Sequence, residues 1–125
     1  VTVAVLYLRQ HAWLNSAPEG GAQTRMQVFS ERAKLRGLEY VPDLPVRGQL
    51  WMIIDWLFEA GLISRQGDMT APISWTEIMS WSNIARVMVS PREAKIMRRL
   101  SFAYADQINA CRNGPAKEPL EVMRG

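Results

Sequence analysis

The sequence predicts an all-α fold: a small single-domain helical bundle of four or five helices, with an irregular N-terminal segment and a frayed C-terminal tail. Three observations predict it. Serine-led capping boxes stand at Ser74 and Ser90, an apolar stripe from Leu50 to Phe58 recurs at helical spacing, and Pro91 to Arg112 is long enough for about six helical turns.

Residues 1–14 allow two periods. Val3, Val5 and Tyr7 alternate as in a strand, whereas Leu6, Gln10 and Trp13 or Leu14 serve a helix, and we read a helix. A Gly, Pro and Ser cluster from Asn15 to Gly21 breaks the chain. From Ala22 to Arg36, Met26, Phe29 and Ala33 keep helical spacing and Gly37 is the stop. Pro42 and Pro45 make residues 40–45 a stiff extended connector, with Pro45 in the first turn of the next helix.

From Val46 to Ala60, Leu50, Ile53, Ile54, Leu57 and Phe58 share one face of a helix ending at Gly61, with Trp51 on its flank. Ser64 to Pro72, polar and carrying Gly67 and Asp68, reads as a loop. In Ser74-Trp75-Thr76-Glu77 the Ser hydroxyl can accept from the amide of residue 77 while Glu77 reaches back, and Ile73 sits at the staple position. Ser90-Pro91-Arg92-Glu93 repeats the pattern, with Pro91 at the first helical position, where a missing N–H costs nothing. The first of these helices ends near Arg86, leaving Val87 to Val89 as a connector. The second runs to Arg112 with Ile96 or Met97, Leu100, Tyr104, Ile108 and Cys111 inward, before Asn113-Gly114-Pro115. The expected organisation is an N-terminal segment over 1–45 with one or two short helices, a helical core over 46–112, and a flexible tail over 113–125. Leu50, Ile53, Leu57, Ile78, Trp81, Ile96, Leu100 and Tyr104 are expected to pack the core.

Composition narrows the function. Apolar types make up 48% of the 125 residues and charged types 22%, as in an ordinary globular domain rather than a collagenous or disordered chain. Fifteen Lys and Arg against twelve Asp and Glu give +3. The surplus lies wholly after residue 60. One Cys, Cys111, excludes an internal disulfide, and with the single His11 it falls short of a metal site without several carboxylates. The opening VTVAVLYL has neither a basic start nor a small-residue cleavage site, and no later apolar run approaches the ~20 residues of a membrane span.

Enzyme chemistry needs placed acids, bases or nucleophiles. No GxSxG, CxxC, HExxH or phosphate-binding glycine loop is present, so no catalytic residue, cofactor or metal ligand is assigned. Asp55 and Glu59, spaced i, i+4, read as solvated surface, and Cys111 as a small buried hydrophobe. Arg92, Lys95 and Arg99 share a face of the last long helix with Arg98 nearby, an arrangement that can mimic a helix-turn-helix. Its first turns offer no Asn or Gln for base edges. Five Trp and seven Met are many for this length. Trp75 and Trp81, six apart and so about 240° around a helix, cannot share one face, which points to a surface where Trp and Met meet a partner.

The middle of the chain carries a further pattern. An aromatic helix with Trp51 and Trp56 is followed by Arg65 and Gly67, then by Pro72, Ile73, Ser74, Glu77, Ile78 and Trp81, and finally by Pro91, Glu93, Met97, Leu100 and Tyr104. This run, residues 50–104, resembles small tail-morphogenesis proteins of tailed bacteriophages and prophages, similar to the tail assembly chaperones and their neighbours beside the tape-measure gene. Val87 stands where such sequences often carry Gly, and the first 40 residues have no counterpart in the resemblance. The resemblance implies a non-enzymatic assembly factor without cofactors. It would hold apolar segments of a tape-measure or other tail protein, in the cytoplasm of the bacterial host or on the virion, alone or as a homo-oligomer. The expected partner surface is Trp51, Met52, Trp56, Arg65, Trp75, Met79 and Met88. The competing expectation is a nucleic-acid-binding or regulatory phage protein using Arg92, Lys95, Arg98 and Arg99.

Overall fold

A computed structural model of the chain describes residues 2–18, 21–45, 50–67, 69–112 and 116–124. In order it contains α1 (Thr2–Leu14), α2 (Arg25–Leu35), α3 (Trp51–Ala60), β1 (Ile63–Gln66), β2 (Met69–Pro72), α4 (Trp75–Ala85), α5 (Pro91–Arg112) and α6 (Pro119–Arg124). The fold is mostly helical with a small two-stranded sheet, which corrects the all-α expectation. The expected helix start at Val46, the turn residue Asp68 and the stop Asn113, Gly114 and Pro115 lie outside the described residues.

The helix period wins at the N-terminus. Ala4, Tyr7, Leu8 and Ala12 are buried at i, i+3, i+4, i+8, while Val3 is exposed. The N-terminal segment is therefore not an irregular appendage to a core over 46–112. Its first helix packs along α5, and Arg9 pairs with Asp106 at 2.9 Å. His11 Nδ1 lies 3.0 Å from the Tyr104 hydroxyl, and burial pushes that phenol up to about 12. A third capping box opens α2, where Thr24 accepts from the Gln27 amide and Gln27 reaches back; the T-x-x-Q signal was in the sequence.

The polar stretch 64–72 is not a plain loop. β1 and β2 pair antiparallel with Arg65 opposite Thr70 and Gln66 opposite Met69, and Gly67 takes φ +61° in the connection. The hairpin is fastened to α5 by polar groups. Buried Thr70 donates its hydroxyl to Asn109 Oδ1 at 2.7 Å, and Asn109 donates back to the Thr70 carbonyl at 3.1 Å. Ser101, fully buried in α5, accepts from the Ile73 amide at 2.8 Å and donates to the Leu62 carbonyl.

α5 is the spine, touching α1, α3, α4 and both strands. Ile53, Ile54, Leu57, Ile73, Ile78, Met97, Leu100 and Tyr104 are buried in one cluster, with Leu50, Trp56, Trp81, Ile96 and Ile108 packed against it. Of the residues expected to join the last three predicted helices, Ile53, Leu57, Ile78, Leu100 and Tyr104 lie in this cluster, and Leu50, Trp81 and Ile96 pack against it half-buried. The end of the chain also departs from the expected frayed tail. α6 packs on α1, with Leu120 buried and its amide donating to Gln10 Oε1 at 3.3 Å, while Gln10 Nε2 reaches Glu118 and the Trp13 indole donates to the Ala116 carbonyl.

Both predicted serine boxes are present. Ser74 and Ser90 each accept from the amide three residues on at 3.1 Å, and Glu77 and Glu93 each bond back to the cap amide. Ser90→Ala should cost about 1 kcal/mol, read as a lower urea midpoint at unchanged slope. A change below ~0.3 kcal/mol would show that the α5 start does not depend on this hydroxyl.

Candidate partner-binding site

α4 begins and α5 passes close by at Trp75, whose placement follows from the cap at Ser74. A capped start fixes the phase of the helix. Ile73 and Ile78 then turn into the core while Trp75 and Met79 remain 50% and 60% exposed. The six-residue offset has its expected effect, since Trp81 is half-buried against Trp56, ring centroids 6.0 Å apart. The Trp81 indole nitrogen is buried and has no hydrogen-bond partner among the described residues.

Two concavities flank Trp75. One, of about 280 Å³, is lined by Pro72, Trp75, Lys95, Arg98, Arg99 and Phe102. The other, of about 270 Å³, is lined by Trp75, Ile78, Met79, Ser82, Val89 and Ala94. A further depression shares Ser82 and Val89 with the second and leads to Met88, which is 94% exposed. The Trp75 indole thus forms a ridge between a basic cleft and an apolar groove.

The ridge is braced. Arg98 lays its guanidinium over the Trp75 ring, 4.9 Å from the centroid, and donates Nε to the Ile73 carbonyl at 3.2 Å. Lys95 and Arg99, one turn apart on α5, are exposed. Among the described residues no carboxylate lies within ion-pair distance of Lys95, Arg98 or Arg99. Like charges at i, i+4 repel by a few tenths of a kcal/mol on an isolated helix, so an anion placed between Lys95 and Arg99 relieves a standing repulsion.

Of the seven residues expected on a partner surface, the structure brings Trp75 and Met79 together and sets Met88 in an adjoining depression that shares Ser82 and Val89 with their groove. Trp51 and Met52 are exposed on the first turn of α3, and Arg65 is exposed on β1. Trp56 is half-buried in the contact between α3 and α4. Of the four expected nucleic-acid contacts, Lys95, Arg98 and Arg99 share the cleft with Trp75, whereas Arg92 does not line it. Phe102 was missed. It is 57% exposed, and its position off the buried Met97, Leu100 and Tyr104 stripe was the available signal.

No metal site and no membrane crossing appear among the described residues. No group of three His, Cys, Asp or Glu side chains is placed to hold a metal ion, and no helix is long and apolar enough to span a bilayer. No family model, curated protein or solved structure matches the chain. The class defined by its own fold is a mostly helical protein with a hairpin clamped to its longest helix, bearing an exposed Trp and Met beside Lys95, Arg98 and Arg99, which have no carboxylate partner among the described residues.

Proposed function

We propose that this protein is a non-enzymatic phage tail assembly factor that shelters apolar segments of a tape-measure or other tail protein until they are incorporated, acting in the cytoplasm of the bacterial host. The observation that carries the proposal is the groove beside Trp75, where an exposed indole and the flexible Met79 thioether border the apolar wall of Ile78, Val89 and Ala94. Thioether side chains re-pack readily around different partners, and Trp is enriched where binding energy concentrates. The resemblance of residues 50–104 to phage tail-morphogenesis proteins supports the same reading.

Co-expression with the tape-measure protein of the same phage or prophage should raise that protein's soluble yield and recover both in one complex. Trp75→Ala combined with Met79→Ala should abolish recovery. Its urea melt should shift by no more than about 1 kcal/mol, because both side chains are largely exposed. A wild-type chain that neither solubilises nor retains the tape-measure protein would refute the proposal.

The second reading, nucleic-acid binding, draws on the gathering of Lys95, Arg98 and Arg99 in one cleft. It ranks lower because Arg98 is already engaged by the Trp75 ring and the Ile73 carbonyl.

A further inference from the structure

We infer that the basic cleft and the apolar groove on either side of Trp75 together receive one amphipathic, acidic segment of the partner protein, its apolar side chains against Met79 and its carboxylates at Lys95 and Arg99. The inference rests on the partner-binding reading above and adds what that partner must look like. Trp75 lines both concavities, and Ala94 and Lys95, consecutive in α5, belong to one concavity each. A segment lying across the indole ridge therefore meets an apolar wall on one side and cations on the other. Pro72 and Phe102 complete the basic side without adding a carboxylate. Charge complementarity consequently selects a segment whose apolar stripe is bordered by Asp or Glu rather than by Lys or Arg.

Arg98 acts here as a positioning residue. Its guanidinium holds the indole in place and its Nε is committed to the Ile73 carbonyl, so the carboxylates of the segment fall to Lys95 and Arg99. A nucleic acid fits the same surface less completely. Phosphates would satisfy the cations and a base could stack on Phe102, but the groove of Ile78, Met79, Val89 and Ala94 would stay uncovered. Among the described residues no Asn or Gln side chain lines the cleft to read a base edge.

The test titrates the full chain at low salt with three labelled probes: a helical peptide with a Leu and Ala stripe bordered by Glu, the same peptide with Gln for every Glu, and a single-stranded thymidine oligonucleotide. The Glu peptide should bind about tenfold more tightly than the Gln peptide, and the difference should shrink as salt is raised. Lys95→Glu with Arg99→Glu should reverse the preference, so that a Lys-bordered peptide becomes the better ligand. An unchanged thermal melt would show that the reversal is not a loss of fold. Equal binding of the Glu and Gln peptides, or failure of both to bind, overturns the inference. Tighter binding of the oligonucleotide than of the Glu peptide overturns it in favour of nucleic acid.

The tape-measure co-purification separates this inference from the function on which it rests. If the wild type retains the tape-measure protein and the double charge reversal retains it equally well, the acidic-segment inference is wrong and the assembly function stands. If the wild type retains nothing while the Glu peptide binds as described, the assembly function is wrong and the recognition chemistry stands.

Discussion

Ser101→Ala is expected to lower the free energy of unfolding by about 2–4 kcal/mol in a urea melt, more than the loss of the half-buried serine cap at Ser90. One hydroxyl on α5 serves both ends of the hairpin, accepting from the Ile73 amide just after β2 and donating to the Leu62 carbonyl just before β1. Ser101 is fully buried and Ile73 is 1% exposed, so the freed amide has no water to turn to. A buried group left unpaired costs about 1–3 kcal/mol, and the substitution strands the buried Ile73 amide and also frees the carbonyl of half-buried Leu62. The comparison with Ser90→Ala is informative because the same atom is removed at a half-buried helix start rather than at a fully buried position. Equal losses at the two positions would mean that water enters beneath the hairpin and that the clamp is not dry.

Leu57→Ala should cost about 3–5 kcal/mol, at the upper end for a leucine truncation. Leu57 has no exposed surface and belongs to the cluster that joins α3 to α5. Its deletion removes apolar burial and also leaves a cavity that rigid neighbouring helices cannot close. Stability for a domain of this size is commonly about 5–15 kcal/mol, so the variant should retain its fold but melt well below the wild type. The matched control is Met52→Ala on the same helix, where the side chain is 42% exposed and a loss within about 1 kcal/mol is expected. A Leu57→Ala loss below ~1.5 kcal/mol would show that α3 repacks onto α5 rather than holding its position.

The two truncations fall on opposite sides of what sequence alone can reveal. Leu57 was legible because five apolar residues at helical spacing have only one way to be buried together. The capping boxes at Ser74 and Ser90 were legible for a similar reason, since donor and acceptor lie within four residues and no tertiary knowledge is needed. The hairpin was not. Its strands carry Ser64, Arg65, Gln66 and Thr70, whose polarity hides any alternation, and its main fastenings are to Asn109 and Ser101, some 28 to 39 residues away. The sequence pair Gly67-Asp68 between the two strands' residues was the available clue.

α6 was hidden in the same way, because a helix of six residues depends on its tertiary contacts and the Gln10 side chain that meets Leu120 belongs to the other end of the chain. At the candidate site, Trp75, Met79 and the cations were each readable as types. That Trp75 divides an apolar from a basic concavity depends on how α4 crosses α5, which no local spacing encodes.

The pairing of α1 with α5 and α6 has a consequence during synthesis. His11 meets Tyr104 across 93 residues and Gln10 meets Glu118 across 108. At translation rates of about 5–20 residues per second, α1 has left the ribosome roughly 5–20 seconds before the surface that covers it has been made. Through that interval Leu8 and Leu14, later among the most deeply buried side chains, stand open to any apolar surface nearby. The nascent chain is thus itself aggregation-prone until its long helix is complete, and how much folded protein a cell obtains is set by how well that waiting helix is shielded.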